Sequence, residues 1–298
     1  MNRFVWLIRR EIWEHRAIWA APLIVLACLA LAVITGNVHL GPIGSMDTAT
    51  SLGTVPYEKQ VKLLLIAYAG LAFLFTLVMW IIGFFYSLDS LYSDRRDRSV
   101  LFWKSLPLSD AETVLSKFAV ASVVIPVVAL LGALLAQLLV AGGGSAMLEM
   151  GGVSGSIMWQ PTALLGGAAV AAIWCATAIL WNTPVIAYLL LASAWAPKSP
   201  FLWAVLPPVA LSVLEVVLLR TTHVKDFVSE RLFGLFQMLG WRQQGVGSES
   251  TTIHISDIHL AGNLKEFYTS PELWLGVAAA GLLLAAAIWV RRYRDETT

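Results

Sequence analysis

Six apolar runs, each near the length that crosses a bilayer, leave this chain little freedom in what it can fold into. A spanning helix needs roughly 20 mostly apolar residues. Runs at 18–35, 63–88, 114–140, 162–195, 201–219 and 273–290 answer to that description. Of 298 residues, 58% are apolar and 13% charged, and the mean hydropathy is +0.74. A soluble globule carries about 25% charged residues. So sparse a charged set cannot cover a water-facing surface, and an all-α integral membrane protein with six transmembrane helices is expected, a single domain over 1–298.

The fourth run contains Asn182-Thr183-Pro184. Pro184 lacks a backbone donor and clashes with the preceding turn. Two crossings joined at Asn182 would leave the second only about eleven residues, too few to span. One crossing interrupted by a kink is therefore expected.

Charge sets the orientation. With six spans and the N-terminus inside, the inner segments are 1–17, 89–113, 196–200 and 291–298. They hold twelve Lys and Arg, with Lys117 just beyond, whereas the longer outer segments hold seven. A basic excess on the inner side is what the positive-inside rule requires, and it puts both termini in the cytoplasm. Five or seven spans would break the agreement. Arg3, Arg9, Arg10 and Arg16 precede the first run, and no small-residue cleavage pattern follows closely, so it reads as a retained span. Thirteen tryptophans suit interfacial anchoring. Cys28 and Cys175 lie in apolar runs and read as packing residues.

Residues 1–17 form a distinct piece. Phe4, Leu7, Ile8, Ile12 and Trp13 recur at helical spacing, and Arg9, Arg10, Glu14 and Arg16 fill much of the rest. This predicts an N-terminal amphipathic helix lying in the inner interface. The alternative is the wet end of span one, which would make one helix of more than about 30 residues, beyond the roughly 20 a crossing needs. Among the outer loops, 141–161 contains Gly-Gly-Gly and reads as weakly structured. The loop 220–271 is the longest, with a helical apolar face at 226–239 and a weakly alternating stretch at 251–260.

The segment 89–113 joins spans two and three. Asp94, Arg95, Arg96, Asp97 and Arg98 form a mixed-sign cluster, followed by Phe102, Trp103 and Lys104. Arg and aromatic side chains dominate binding energy at protein interfaces. Two readings stand: a docking surface for a soluble partner, or a wet inner loop with Phe102 and Trp103 in the headgroup layer. Ser109 and Glu112 make an S-x-x-E capping box, so span three is expected to start at Asp110 with a defined exit angle.

Glu215 is the one ionisable residue well inside a run. It either lines a path or subunit interface, or it is a neutral acid bonded to a neighbouring helix near Asn182. His254, Asp257 and His259 have poor spacing for one metal. No metalloprotease, nucleophile-elbow or phosphate-loop motif is present, so the chain is not expected to be an enzyme or to hold a cofactor or metal. Sparse juxtamembrane basic residues do not suit nucleic acid.

The string from Asp89 to Asp110, DSLYSDRRDRSVLFWKSLPLSD, resembles a recurrent feature of one bacterial branch of ABC-2 type transporter permeases. AWAPKSPFLWAVLPP at 194–208 is similar to that branch as well, and the six-span plan with an amphipathic N-terminal helix resembles the family throughout. The resemblance implies a bacterial inner-membrane, multi-pass permease, two copies of which work with two cytoplasmic ABC ATPase subunits. ATP and Mg would sit on those partners. It implies that the connector couples to the ATPase, a role falling on Asp94, Arg95, Arg96, Asp97, Arg98, Phe102, Trp103 and Lys104. Export is expected, with cargo unassigned and lipid as the surrounding partner. The rival classes are a secondary transporter, which predicts inverted repeats and several midplane charges, and a non-transporting membrane scaffold or sensor.

Overall fold

The computed structural model describes residues 3–35, 56–97, 108–152, 154–238, 265 and 267–293. Among these residues all regular structure is helical. The longer helices are α1 (Arg3–Glu14), α2 (Ala17–Ile34), α3 (Tyr57–Arg96), α4 (Asp110–Ala119), α5 (Ile125–Met150), α6 (Pro161–Trp181), α7 (Thr183–Trp195), α8 (Pro200–Leu219), α9 (His223–Met238) and α10 (Pro271–Tyr293). A π-helical turn, Val120–Val124, runs α4 into α5, and a 3-10 turn, Gly155–Trp159, precedes α6. The stretch 251–260 lies outside the described residues.

Six helical runs are long and apolar enough to cross a membrane: Ala17–Ile34, Tyr57–Arg96, Asp110–Met150, Gly155–Trp181, Pro200–Leu219 and Pro271–Tyr293. At 13 residues, α7 is too short to add a seventh. Two of the runs overshoot the sequence expectation. The 40 residues of α3 rise about 60 Å at 1.5 Å per residue, twice the roughly 30 Å hydrocarbon core. The first part of the charged connector is thus a helical extension of the second span. The Gly-Gly-Gly expected in a weakly structured loop is instead inside α5. A Cβ on Gly143 would stand 2.1 Å from Val33 Cγ1, and one on Gly144 would stand 2.4 Å from Met158 Cε. Close packing of α2 and the 3-10 turn on α5 offsets the ~1 kcal/mol that glycine costs in a helix.

Proline leaves a carbonyl without its helical donor four residues earlier. Hydroxyls fill two such vacancies. Pro184 frees the Leu180 carbonyl, which accepts from Thr183 Oγ1 at 2.7 Å. Pro208 frees the Ala204 carbonyl, which accepts from Tyr188 Oη at 2.8 Å. In hydrocarbon such substitutes keep a Pro-containing helix viable. They also explain the continuity around Asn182, whose N–H donates to Ala178 O and whose carbonyl accepts from Ile186 N–H.

The chain divides into two compact units, Met1–Glu11, Gly83–Ser122 and Thr177–Thr298 in one, and Ile12–Ile82 and Val123–Ala176 in the other. In the second, Tyr68 is fully buried and donates to Met158 O at 2.8 Å, while Gln137 Nε2 donates to Tyr68 O at 3.4 Å. In the first, α10 packs on α7 and α4, and α8 packs on α7 and α9. The buried face of α10 is Leu273, Gly276, Ala280, Leu284 and Ala287, small residues that let neighbours approach.

Candidate functional site

The buried stripe of α10 continues, with the same spacing, onto Arg291. On α3 the stripe Ser87, Ser90 and Leu91 continues onto Asp94. On α1 the buried positions are Leu7 and Glu11, four apart. On α4 they include Val114 and Lys117, three apart. Helical spacing therefore carries each apolar or small face onto a charged residue at one end, and the four charges meet in the first compact unit.

Their geometry is that of a closed ion network. Lys117 Nζ lies 3.0 Å from Glu11 Oε1 and 3.5 Å from Asp94 Oδ2. Arg291 Nη1 lies 3.2 Å from the same Asp94 oxygen, and its Nε is 3.1 Å from Asp110 Oδ1. Arg10 Nη2 reaches Glu11 at 3.5 Å and Asp94 at 4.0 Å. Tyr86 Oη donates to Glu11 Oε2 at 3.0 Å. Three cations face three carboxylates. Lys117, Glu11 and Asp94 are each at most 4% exposed. Buried charge is tolerated when paired and hydrogen-bonded, and each of these groups has more than one partner.

Asp94, expected on a partner-facing surface, has its carboxylate buried among Lys117, Arg291 and Arg10. Arg95 is also turned inward. Its Nη2 donates to Ser193 O at 2.6 Å and Ala196 O at 2.9 Å. Those carbonyls close α7, where a cation complements the helix dipole. Arg96 and Asp97 do face solvent, 56% and 60% exposed, and pair with each other at 3.0 Å. Arg98, Phe102, Trp103 and Lys104 lie outside the described residues. Sequence reasoning does not single out Lys117, Glu11 or Arg291 as site residues. The signal was an apolar stripe running onto a charge at helical spacing.

At the start of α4, Ser109 Oγ accepts from Glu112 N–H at 3.1 Å, and Glu112 Oε2 accepts from Ser109 N–H at 2.8 Å. With Ser109 extended at φ −80°, ψ 149°, the turn fixes how the chain enters α4. Asp110 then stands at the first helical position, within reach of Arg291.

Glu215 bonds to the turn after its own helix rather than to a helix near Asn182. One turn from the end of α8, its carboxylate accepts from Thr221 Oγ1 at 2.7 Å, His223 N–H at 2.9 Å and Val224 N–H at 2.6 Å. Those two amides open α9, whose first N–H groups have no partner within the helix. Glu215 therefore ties α8 to α9 across a short turn. Asn182, 8% exposed, sits at the α6–α7 junction.

Arg231 of α9 is a further buried cation. Its guanidinium stacks 4.5 Å from the Trp181 ring, donates to Glu272 O, and fits where Gly276 has no side chain. Trp181 Nε1 donates back to Arg231 O at 3.1 Å. Burial lowers the Arg231 pKa from its usual value. Among the described residues no group of three or more His, Cys, Asp or Glu could hold a metal. His254, Asp257 and His259 lie outside them.

In comparison with known families, residues 61–180 fit the model described as ABC-2 family transporter protein. The match takes in most of α3, the charged connector, α4, α5 and nearly all of α6. Neither the curated proteins nor the solved structures yielded a match.

Proposed function

We propose, from the premise that residues 61–180 belong to the ABC-2 transporter family, that this chain is the membrane-spanning permease subunit of an ATP-driven exporter. The match over 61–180 is the observation that carries the reading, because that stretch contains the connector together with the helices on both sides of it. The chain itself serves as the non-catalytic membrane subunit. Two copies of a cytoplasmic ABC ATPase supply nucleotide and Mg sites, and a second permease copy completes the unit in a bacterial inner membrane.

Both termini lie on the ATPase side, with α1 along the interface. Exposed Val5, Trp6 and Trp13 on α1 support contact with lipid. Only 11% of the most apolar stretch of α8 is buried within the chain. Lipid tails and the second permease copy cover the remainder.

The docking surface is assigned to the exposed end of α3 and the residues after it: Arg96, Asp97, Arg98, Phe102, Trp103 and Lys104. Closure of the ATPases on ATP moves this segment, and the helices that frame it move in turn. The test is gentle purification of the tagged chain from its native membrane, alongside a variant with Arg96, Arg98, Phe102 and Trp103 changed to Ala. A phosphate-loop ATPase in near-equal amount with the parent, and lost from the variant, is the expected result. Recovery of the parent with no ATPase overturns the reading in favour of a scaffold or secondary transporter.

A further inference from the structure

We infer that the Lys117–Glu11 ion pair carries movement of the connector into the N-terminal helix, which makes Lys117 a positioning residue of the transport cycle. The inference rests on the permease reading above and names one internal link within it.

The two ends of the connector are Asp94, near the end of α3, and Asp110, at the start of α4. Arg291 holds both carboxylates, at 3.2 and 3.1 Å. Lys117, two turns into α4, is bound at 3.5 Å to Asp94. The connector ends, α4 and the end of α10 are therefore clamped as one group. Helix α1 is held differently, since Leu7 and Glu11 are its buried residues. Glu11 meets the clamp through Lys117 at 3.0 Å. Tyr86 adds a neutral hydrogen bond, and the Arg10–Asp94 approach is longer, at 4.0 Å.

An apolar contact can slide at little cost. A buried ion pair cannot part without leaving two charges uncompensated in low dielectric. Lys117 and Glu11 are both 1% exposed, so water does not screen them. Displacement of α4 therefore draws α1 with it.

The discriminating variant is E11Q/K117M, because removing both partners of a buried pair is close to neutral for folding whereas removing one is not. Hydrogen exchange of the purified permease–ATPase complex is followed with and without ATP plus vanadate. In the parent, nucleotide is expected to change exchange in both 91–97 and α1. In the double variant the change at 91–97 remains and the change in α1 is lost. A pair with a purely structural role leaves the α1 response intact in the folded double variant, and that outcome overturns the inference. So does a parent in which α1 never responds. Glu11→Asp is the second variant, since it keeps the charge and draws the carboxylate back by one methylene. Its α1 response should fall severalfold, and an unchanged response overturns the inference. Failure of any ATPase to co-purify with the parent is a separate result, and it removes the permease reading itself.

Discussion

Ser193 accepts from Arg95 through its carbonyl and from the Arg95 helix through its hydroxyl. The Arg95 guanidinium donates to the Ser193 carbonyl, and the Ser193 hydroxyl accepts from the N–H groups of Leu91 and Tyr92 at 3.1 and 3.0 Å. These bonds join the projecting end of α3 to the last turn of α7, whose final carbonyls lack helical donors. It also explains why an arginine that looks like part of a docking surface belongs to the fold.

Arg95→Ala should destabilise the protein by about 2 kcal/mol, the usual worth of a charge-assisted hydrogen bond to a buried acceptor. Arg95→Lys should fall between parent and Ala, since the shorter lysine side chain keeps the charge but carries its ammonium short of where Nη2 meets both carbonyls. Thermal unfolding in detergent orders the three. An Arg95→Ala protein that melts with the parent would show that the cap contributes nothing.

Lys117→Met leaves a net negative charge in the buried network, and a loss of about 3–5 kcal/mol is expected. Adding Glu11→Gln restores the charge balance and should recover most of that loss. The same unfolding measurement applies, and equal melting of the single and double variants would contradict the network's charge balance.

Gly143→Val places side-chain atoms into Val33, which a bare Cβ already meets at 2.1 Å. Overpacking of this kind costs about 1–3 kcal/mol. The second-site change Val33→Ala should relieve it. If the double variant is no better than Gly143→Val alone, the α2–α5 approach is not what demands glycine at this position.

Glu215→Ala removes the acceptor shared by Thr221, His223 and Val224. Amide exchange at His223 and Val224 should rise on the order of tenfold or more, following loss of charge-assisted bonds worth about 1.5–3 kcal/mol. Glu215→Gln keeps one carbonyl oxygen and should rise less. Unchanged exchange in the Ala variant would mean that the turn holds itself.

The legible part of this protein is the part whose physics is local. Apolar length alone marks the six membrane-length helices, because transfer into hydrocarbon is summed along a run. Pro184 marks the interruption at Asn182, because a missing N–H acts on its own helix. Ser109 and Glu112 are three residues apart and need no distant partner. The Gly142–Gly144 stretch is illegible for the opposite reason: glycine disfavours an isolated helix, and only the arrival of Val33 and Met158 makes its missing Cβ an advantage.

The sequence by itself determined that this chain is a membrane protein with six runs long and apolar enough to span a bilayer and a charged connector between the second and third. Residues 61–180 also fit the model described as ABC-2 family transporter protein. Tertiary structure alone decided which charges serve the fold and which face outward. Asp94 and Arg95 stand beside Arg96 and Asp97 in one cluster, yet the first two are bound within the fold and the second two are exposed. That division depends on Lys117, Arg291 and Ser193, lying about 20 to 200 residues away along the chain, beyond the reach of the three-to-four-residue spacing that governs a single helix. A charge is buried only where another element brings it a counter-charge or a carbonyl, and that encounter exists only once the helices have packed.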